Sequence, residues 1–249
     1  MRIENSFIAA EGVGETTERR LWQNGVTHWD EFDPAHVGEK TGENVESYIN
    51  EARRALDDGD TATLARGLPS GSLWRLYENV ADATCFFDIE TTGLDAATND
   101  VTTVSFHRGG DTTTLVQGED LTRDALAEEF AQSDLLVSFN GKRFDAPFLE
   151  TNFDLGIETP HLDLMYLCKQ LGLSGGLKSI ERDLGVAREG VEDVDGREAV
   201  RLWKRYDQHE DDAALERLVK YNRLDTQNLQ TILDLVADEL HEDVFARHL

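Results

Sequence analysis

The sequence predicts a mixed α/β fold, a β-sheet with helices on its faces behind a small N-terminal helical region. Three observations carry that expectation. From Ala83 the chain becomes strand-like, with ATCFFDIET, VTTVSFHRG and TTTLVQG separated by Gly- and Asp-rich turns. A fourth strand, LLVSFN, then falls between two helical stretches, and most of the remainder is helical. Consecutive strands followed by strand and helix alternation is the order of an antiparallel meander extended into a mixed sheet.

Taken in chain order, residues 1 to about 35 read as a separate helical unit, with Gly-Val-Gly at 12–14, the helix-like TTERRLWQN, a second Gly-Val and a second helix. Two readings stand side by side. The pattern over 7–35 resembles a helix-hairpin-helix element, whose glycine turn offers N–H groups to a phosphate. It equally suits a plain helical hairpin that packs Leu21, Trp22, Val26 and Trp29 into a core. Short helices are expected over 45–57 and 60–66, and Pro69-Ser70-Gly71-Ser72 marks a break. The expected division is therefore 1–75 for the helical region and 80–240 for the sheet-bearing domain. Within the latter, helices are expected over about 121–132 and 145–152, with a short strand or turn at TPHLDL.

Composition narrows the function classes. Of 249 residues, 39% are hydrophobic, enough for a real core. No apolar run approaches the roughly 18 to 20 residues needed to cross a bilayer, and MRIENSFIAAEG has no basic segment before a long apolar stretch. A cytoplasmic protein without a membrane partner is expected. Cys85 and Cys168 show no CxxC spacing, and both read as buried reduced thiols. The seven histidines show no HxxxH or HExxH spacing, which argues against a zinc enzyme. The net charge of −26 argues, by itself, against a polyanionic partner. That objection weakens if the acids form a dispersed solvation layer, a composition that resembles halophilic proteins of a high-salt cytoplasm.

In a strand, side chains at i and i+2 share a face about 7 Å apart, so Asp88 and Glu90 in FFDIET project together. Hard cations such as magnesium want oxygen ligands, and a pair of them about 3.5 to 4 Å apart suits phosphodiester cleavage. Spacing alone is weak evidence, because acids at roughly one position in five generate about ten such pairs by chance. Context adds weight: charged groups end the apolar run Cys85-Phe86-Phe87, which is costly unless they coordinate something.

Asp88-Ile89-Glu90-Thr91-Thr92-Gly93-Leu94 reproduces in full the first motif, DxETTGL, of the DEDD exonuclease superfamily. The second motif, Asn followed by Phe-Asp at a helix start, is matched by Asn140 to Phe144-Asp145. The third, Tyr-x-x-x-Asp, is matched by Tyr221 and Asp225. On a helix, i and i+4 share a face. The sister branch carries histidine where this chain has Lys220, so the resemblance is to the tyrosine branch. Within it, HLDLMYLCKQLGLSGGLKSIERDLGV, DVDGREAVRLWKRY and YNRLD resemble the YprB-like ribonuclease H-like family over about 83–236. The resemblance implies a ribonuclease H-like sheet and 3′-to-5′ hydrolysis of DNA or RNA ends to nucleoside monophosphates. It implies two Mg2+ or Mn2+ ions on Asp88, Glu90, Asp145 and Asp225, with Tyr221 positioning the attacking water. Thr91, Gly93, Leu94, Asn140 and Phe144 would line the terminal nucleotide. Blander roles stand beside these. Asp145 suits a helix N-cap before Ala146-Pro147, Asp163 a cap for a helix over 164–172, and Tyr-x-x-x-Asp alone is common on solvated helices. A catalytically silent binding or scaffold domain of the same fold, and a phosphatase acting on mononucleotides, are the rival functions.

Overall fold

A computed structural model describes residues 1–249 and divides them into two compact units, Met1–Ala81 with Leu235–Leu249, and Asp82–Asp234. In the first unit lie α1 (Glu15–Gln23), α2 (Glu39–Asp58), α3 (Thr61–Gly67) and the single turn α4 (Tyr77–Val80). The 7–35 stretch holds one α-helix, α1, followed by the 3-10 turns Trp29–Glu31 and Pro34–His36, so where a second helix is expected there are only single turns. Leu21, Trp22, Val26 and Trp29 are all buried, as core packing requires. Two devices hold this small core. Glu18, 1% exposed, takes hydrogen bonds from Ser6 Oγ and from the backbone N–H groups of Phe7 and Ile8, and pairs with Arg75 at 2.8 Å. The indole N–H groups of Trp22 and Trp29 donate to the carbonyls of Asn5 and Ser6, so each ring is buried without an orphaned donor.

The second unit is built on five strands, β1 (Thr84–Thr91), β2 (Val101–Arg108), β3 (Asp111–Val116), β4 (Leu135–Ser138) and β5 (His161–Asp163), in the spatial order β3-β2-β1-β4-β5. β1, β2 and β3 pair antiparallel as a meander, whereas β4 and β5 join parallel to β1. Between and after them come α5 (Arg123–Ala131), α6 (Asp145–Phe153), α7 (Leu164–Gln170), α8 (Leu177–Leu184), α9 (Gly196–His209) and α10 (Asp212–Val244). The last runs from this unit into the first. No helix is long and apolar enough to cross a membrane.

Alternation along β1 sorts its side chains by face. Cys85, Phe87 and Ile89 enter a core with Leu126 and Phe130 of α5 and Phe148 and Leu149 of α6. Phe86, Asp88 and Glu90 take the opposite face, where Asn222 of α10 reaches Asp88. A strand covered on both sides reads as a continuous apolar run until function interrupts it. Because β1, β4 and β5 are parallel, their carboxyl ends meet at one edge, the place where open α/β sheets present functional groups. Both cysteines are buried and unpaired, and burial pushes each thiol up to about 11.

Candidate active site

Asp88 and Glu90 stand near the end of β1, and a register shift after Glu90 lets the chain leave the sheet into the 92–100 loop. Asp225 comes from α10, one turn after Tyr221. The carboxylate oxygens of Asp88, Glu90 and Asp225 all lie within 4.8 Å of one another. Asp145 is not one of that trio, but its charge acts on Asp88 and Glu90; it is the first residue of α6, and its carboxylate accepts the backbone N–H of Ile89 on β1. Phe144 occupies the N-cap position, so Asp145 is not the cap its position before Ala146-Pro147 suggests.

The electrostatics follow from this convergence. Asp88 and Glu90 keep some solvent access but sit deep in protein, and burial first, then repulsion from the other carboxylates, raises both well above the usual carboxylate range. Burial likewise pushes Asp145 and Asp225 up to about 7. Tyr221, 6% exposed, hydrogen bonds Asp225 and is pushed far above its ordinary value by burial and by the charges of Asp225, Glu90 and Asp88. Its hydroxyl therefore stays protonated and donates to Asp225.

Three supports surround these groups, and of them Asn222 and Arg188 lay outside the sequence reading. Asn222, fully buried, donates to Asp88 Oδ2 at 2.7 Å and to its carbonyl, while its own oxygen accepts Thr103 Oγ1 and Ser105 Oγ from β2. It lies inside the Tyr-x-x-x-Asp stretch, three residues before Asp225 and so on the same helical face, which is the signal that could have found it. Asp163 caps α7 through Met165 N–H as expected, and it also accepts the N–H groups of Asn140 and Lys142 at 2.8 and 3.3 Å. One carboxylate thus pins the loop that carries Asn140 to Asp145. Arg188, in the loop before α9, pairs with both Asp225 and Glu181 and stacks over the Tyr221 ring at 5.3 Å.

The expected nucleotide-lining residues are placed unevenly. Thr91 turns inward and donates to the Gly93 carbonyl at 2.5 Å. A Cβ on Gly141 would lie 2.1 Å from Ser138 Oγ, 2.7 Å from Ser138 Cβ and 3.3 Å from Asp145 Cγ, so this turn needs glycine for close approach, whereas one on Gly93 would meet only the end of the Asn99 side chain. Asn140 is held at φ 63°, a left-handed conformation asparagine tolerates. Leu94 is 87% exposed, whereas Phe144 is half-buried with its ring 4.8 Å from Phe148.

A family model of the RNase H superfamily matches residues 85–237, well over half of the chain and the whole of this carboxylate site. The chain belongs to the RNase H superfamily. The five-stranded mixed sheet of this member, flanked by helices, is the ribonuclease H-like fold. Among solved structures it is similar to the family B DNA polymerase of the hyperthermophilic archaeon Pyrobaculum calidifontis, at 17% identity over 62% of this chain and 26% of that one, with a TM-score of 0.48. It is also similar to a structure described as the apo form of a nuclease, at 20% identity over 67% and 77% of the two chains, with a TM-score of 0.49. A comparison with curated proteins finds no match.

Proposed function

We propose that this superfamily member is a metal-dependent 3′-to-5′ exonuclease of the DEDD type, tyrosine branch and YprB-like, which shortens DNA or RNA to nucleoside monophosphates. One observation carries the reading. Carboxylates that are far apart in sequence, on β1, α6 and α10, converge until their charges repel one another strongly. A fold tolerates such a cluster when a cation compensates it. The donor set fits: it is all oxygen, with no histidine or thiolate, which suits magnesium or manganese rather than zinc. Asp88, Glu90, Asp145 and Asp225 would hold two such ions, which supply a lowered pKa for the attacking water and charge neutralisation at the departing 3′ oxygen.

The chain's own groups account for the remaining requirements. Tyr221, kept protonated, orients the attacking water beside Asp225. Asn222 fixes the rotamer of Asp88 from the helix side, and Asp163 fixes the backbone before Asp145. Preorganised ligands need little rearrangement when substrate arrives. Leu94, free in solvent, is available to meet a base, and Thr91, Gly93, Asn140 and Phe144 would surround the terminal sugar.

The test is digestion of 5′-labelled single-stranded DNA and RNA with manganese. A ladder shortening from the 3′ end, with release of nucleoside 5′-monophosphates, is the expected result, and Asp88→Asn should abolish it. Immediate loss of label from the 5′ end would reject the direction. Hydrolysis of mononucleotides without shortening of the polymer would favour the phosphatase rival, and binding without any cleavage would favour the silent domain.

A further inference from the structure

Arg188 is placed as if for a task beyond structure. Its side chain is only 9% exposed, and its guanidinium is divided between two carboxylates, Nη1 on Glu181 Oε2 and Nη2 on Asp225 Oδ1. The Glu181 half is anchored independently of the acidic site. Glu181, 1% exposed, also accepts Asn228 Nδ2 at 2.8 Å, and the same amide donates to the Ala187 carbonyl at 3.1 Å. Loop backbone, Glu181 and α10 therefore hold one edge of the guanidinium whatever happens at Asp225. Its Cζ lies over the Tyr221 ring, 5.3 Å from the ring centre, a cation–π contact. Its Nε is buried with no hydrogen-bond partner. Arg75 Nε is likewise buried and unpartnered in the first unit, so what sets Arg188 apart is that its spare donor stands beside the carboxylate cluster, where an entering anion can take it.

We propose that Arg188 is the resident counter-cation of the carboxylate cluster: it holds Asp225 until a divalent cation displaces it, and its freed donors then bind an oxygen of the substrate phosphate. The inference rests on the metal-dependent reading above. The charges make both halves of the exchange favourable. Asp88, Glu90, Asp145 and Asp225 face one another, and Arg188 with Lys178 are the cations that act on Glu90. With no divalent ion the guanidinium offsets their repulsion; with one bound, Asp225 gains a stronger partner and Arg188 turns a fork of N–H donors to the next anion that enters. Glu181 limits how far the side chain travels, so the exchange is local.

The experiment uses the full chain as parent, Arg188→Met and Arg188→Lys. Titration calorimetry measures Mn2+ binding, then binding of a nucleoside 5′-monophosphate at saturating Mn2+. If Arg188 competes at Asp225, Arg188→Met should bind Mn2+ roughly tenfold more tightly, since it removes a cation at contact distance from that ligand. The same variant should bind the monophosphate roughly tenfold more weakly, as expected for one charge-assisted hydrogen bond. Arg188→Lys keeps the charge and loses the fork, so its Mn2+ affinity should stay near the parent's while the monophosphate still binds less tightly. Mn2+ affinity in Arg188→Met equal to or below the parent's would overturn the displacement. Unchanged monophosphate affinity in Arg188→Lys would overturn the phosphate role, even if Arg188→Met fails to fold. A parent that binds no Mn2+ rejects the metal reading itself, whereas a parent that binds it while the variants match rejects this inference alone.

Discussion

Asp145→Asn separates a metal-holding carboxylate from a structural one. Asp145 is 4% exposed, and burial raises its carboxyl from 3.8 to about 7. The folded state therefore binds a proton more tightly than the unfolded chain does. Stability from this group is fully present below about pH 4, where both states are protonated, and is lost as pH rises towards 7. A rise of that size corresponds to at most about 4 kcal/mol. Asp88, Glu90 and Asp225 share the repulsion, so neutralising one partner should recover only part, about 1 to 2 kcal/mol at pH 8. The amide keeps an oxygen for the Ile89 N–H, and its NH2 can donate to neighbouring carboxylates as Asn222 does to Asp88.

Thermal melts of parent and variant at pH 4 and pH 8, with and without magnesium, read the difference. Without metal the two should coincide at pH 4, and at pH 8 the variant should melt higher by about 2 to 4 °C per kcal/mol. Metal at a hundredfold excess over Kd should add about 2.7 kcal/mol to the parent and much less to the variant. A variant that melts below the parent at pH 8 without metal, with both gaining equally from magnesium, would show Asp145 to be structural and refute the assignment.

Other outcomes follow from the same geometry. Excess chelator should stop cleavage and manganese restore it, assayed on a labelled single strand; full activity in chelator would sink the mechanism. Tyr221→Phe should lower kcat by about 10- to 1000-fold with little change in KM, because the hydroxyl acts on water during reaction; steady-state kinetics decide it. Asn222→Leu should strand Thr103, Ser105 and Asp88 without their shared partner and cost about 2 to 4 kcal/mol by denaturant unfolding, whereas a loss under 1 kcal/mol would make the network incidental. Gly141→Ala should cut activity more than stability, since its methyl collides with Ser138 and crowds Asp145; equal kcat in a folded variant would count against that packing.

The sheet was legible because its signals are local. Period-2 alternation, turn residues and strand-like composition lie within each segment, and β1 to β5 appear where the sequence predicts them. The N-terminal region was harder to read. Gly-Val and Trp-Asp-Glu suggest a second helix, yet Trp29 is drawn into the core and its indole bonds the Ser6 carbonyl, so tertiary packing leaves a single 3-10 turn. The sequence predicts a helix from residue 45, but α2 begins at Glu39, since Gly42 in its first turns breaks the helical pattern while tucking against Pro34.

The carboxylates were legible because they fall in order within three motifs, DIETTGL, Asn140 to Phe144-Asp145 and Tyr221 to Asp225, and their supports were not because each looks ordinary alone. Asn222 reads as a polar helix residue, Glu181 as one acid among fifty, and Arg188 as a loop cation. Only the three-dimensional arrangement shows that Glu181 is buried to hold Arg188 and that Arg188 faces the acids. The same point answers the objection from net charge. A formal charge of −26 is a sum over the whole chain, but exposed charges more than about 8 to 10 Å away are screened at ordinary salt, so the field met by a phosphate is set by its neighbours. Those neighbours include Arg188 and Lys178, both acting on Glu90. An acidic surface and a polyanionic substrate are compatible if the last few ångströms are governed by these cations and by whatever the carboxylates bind. On that argument, added salt should weaken substrate capture less in this protein than in one that relies on a basic surface, because little of its attraction acts at long range.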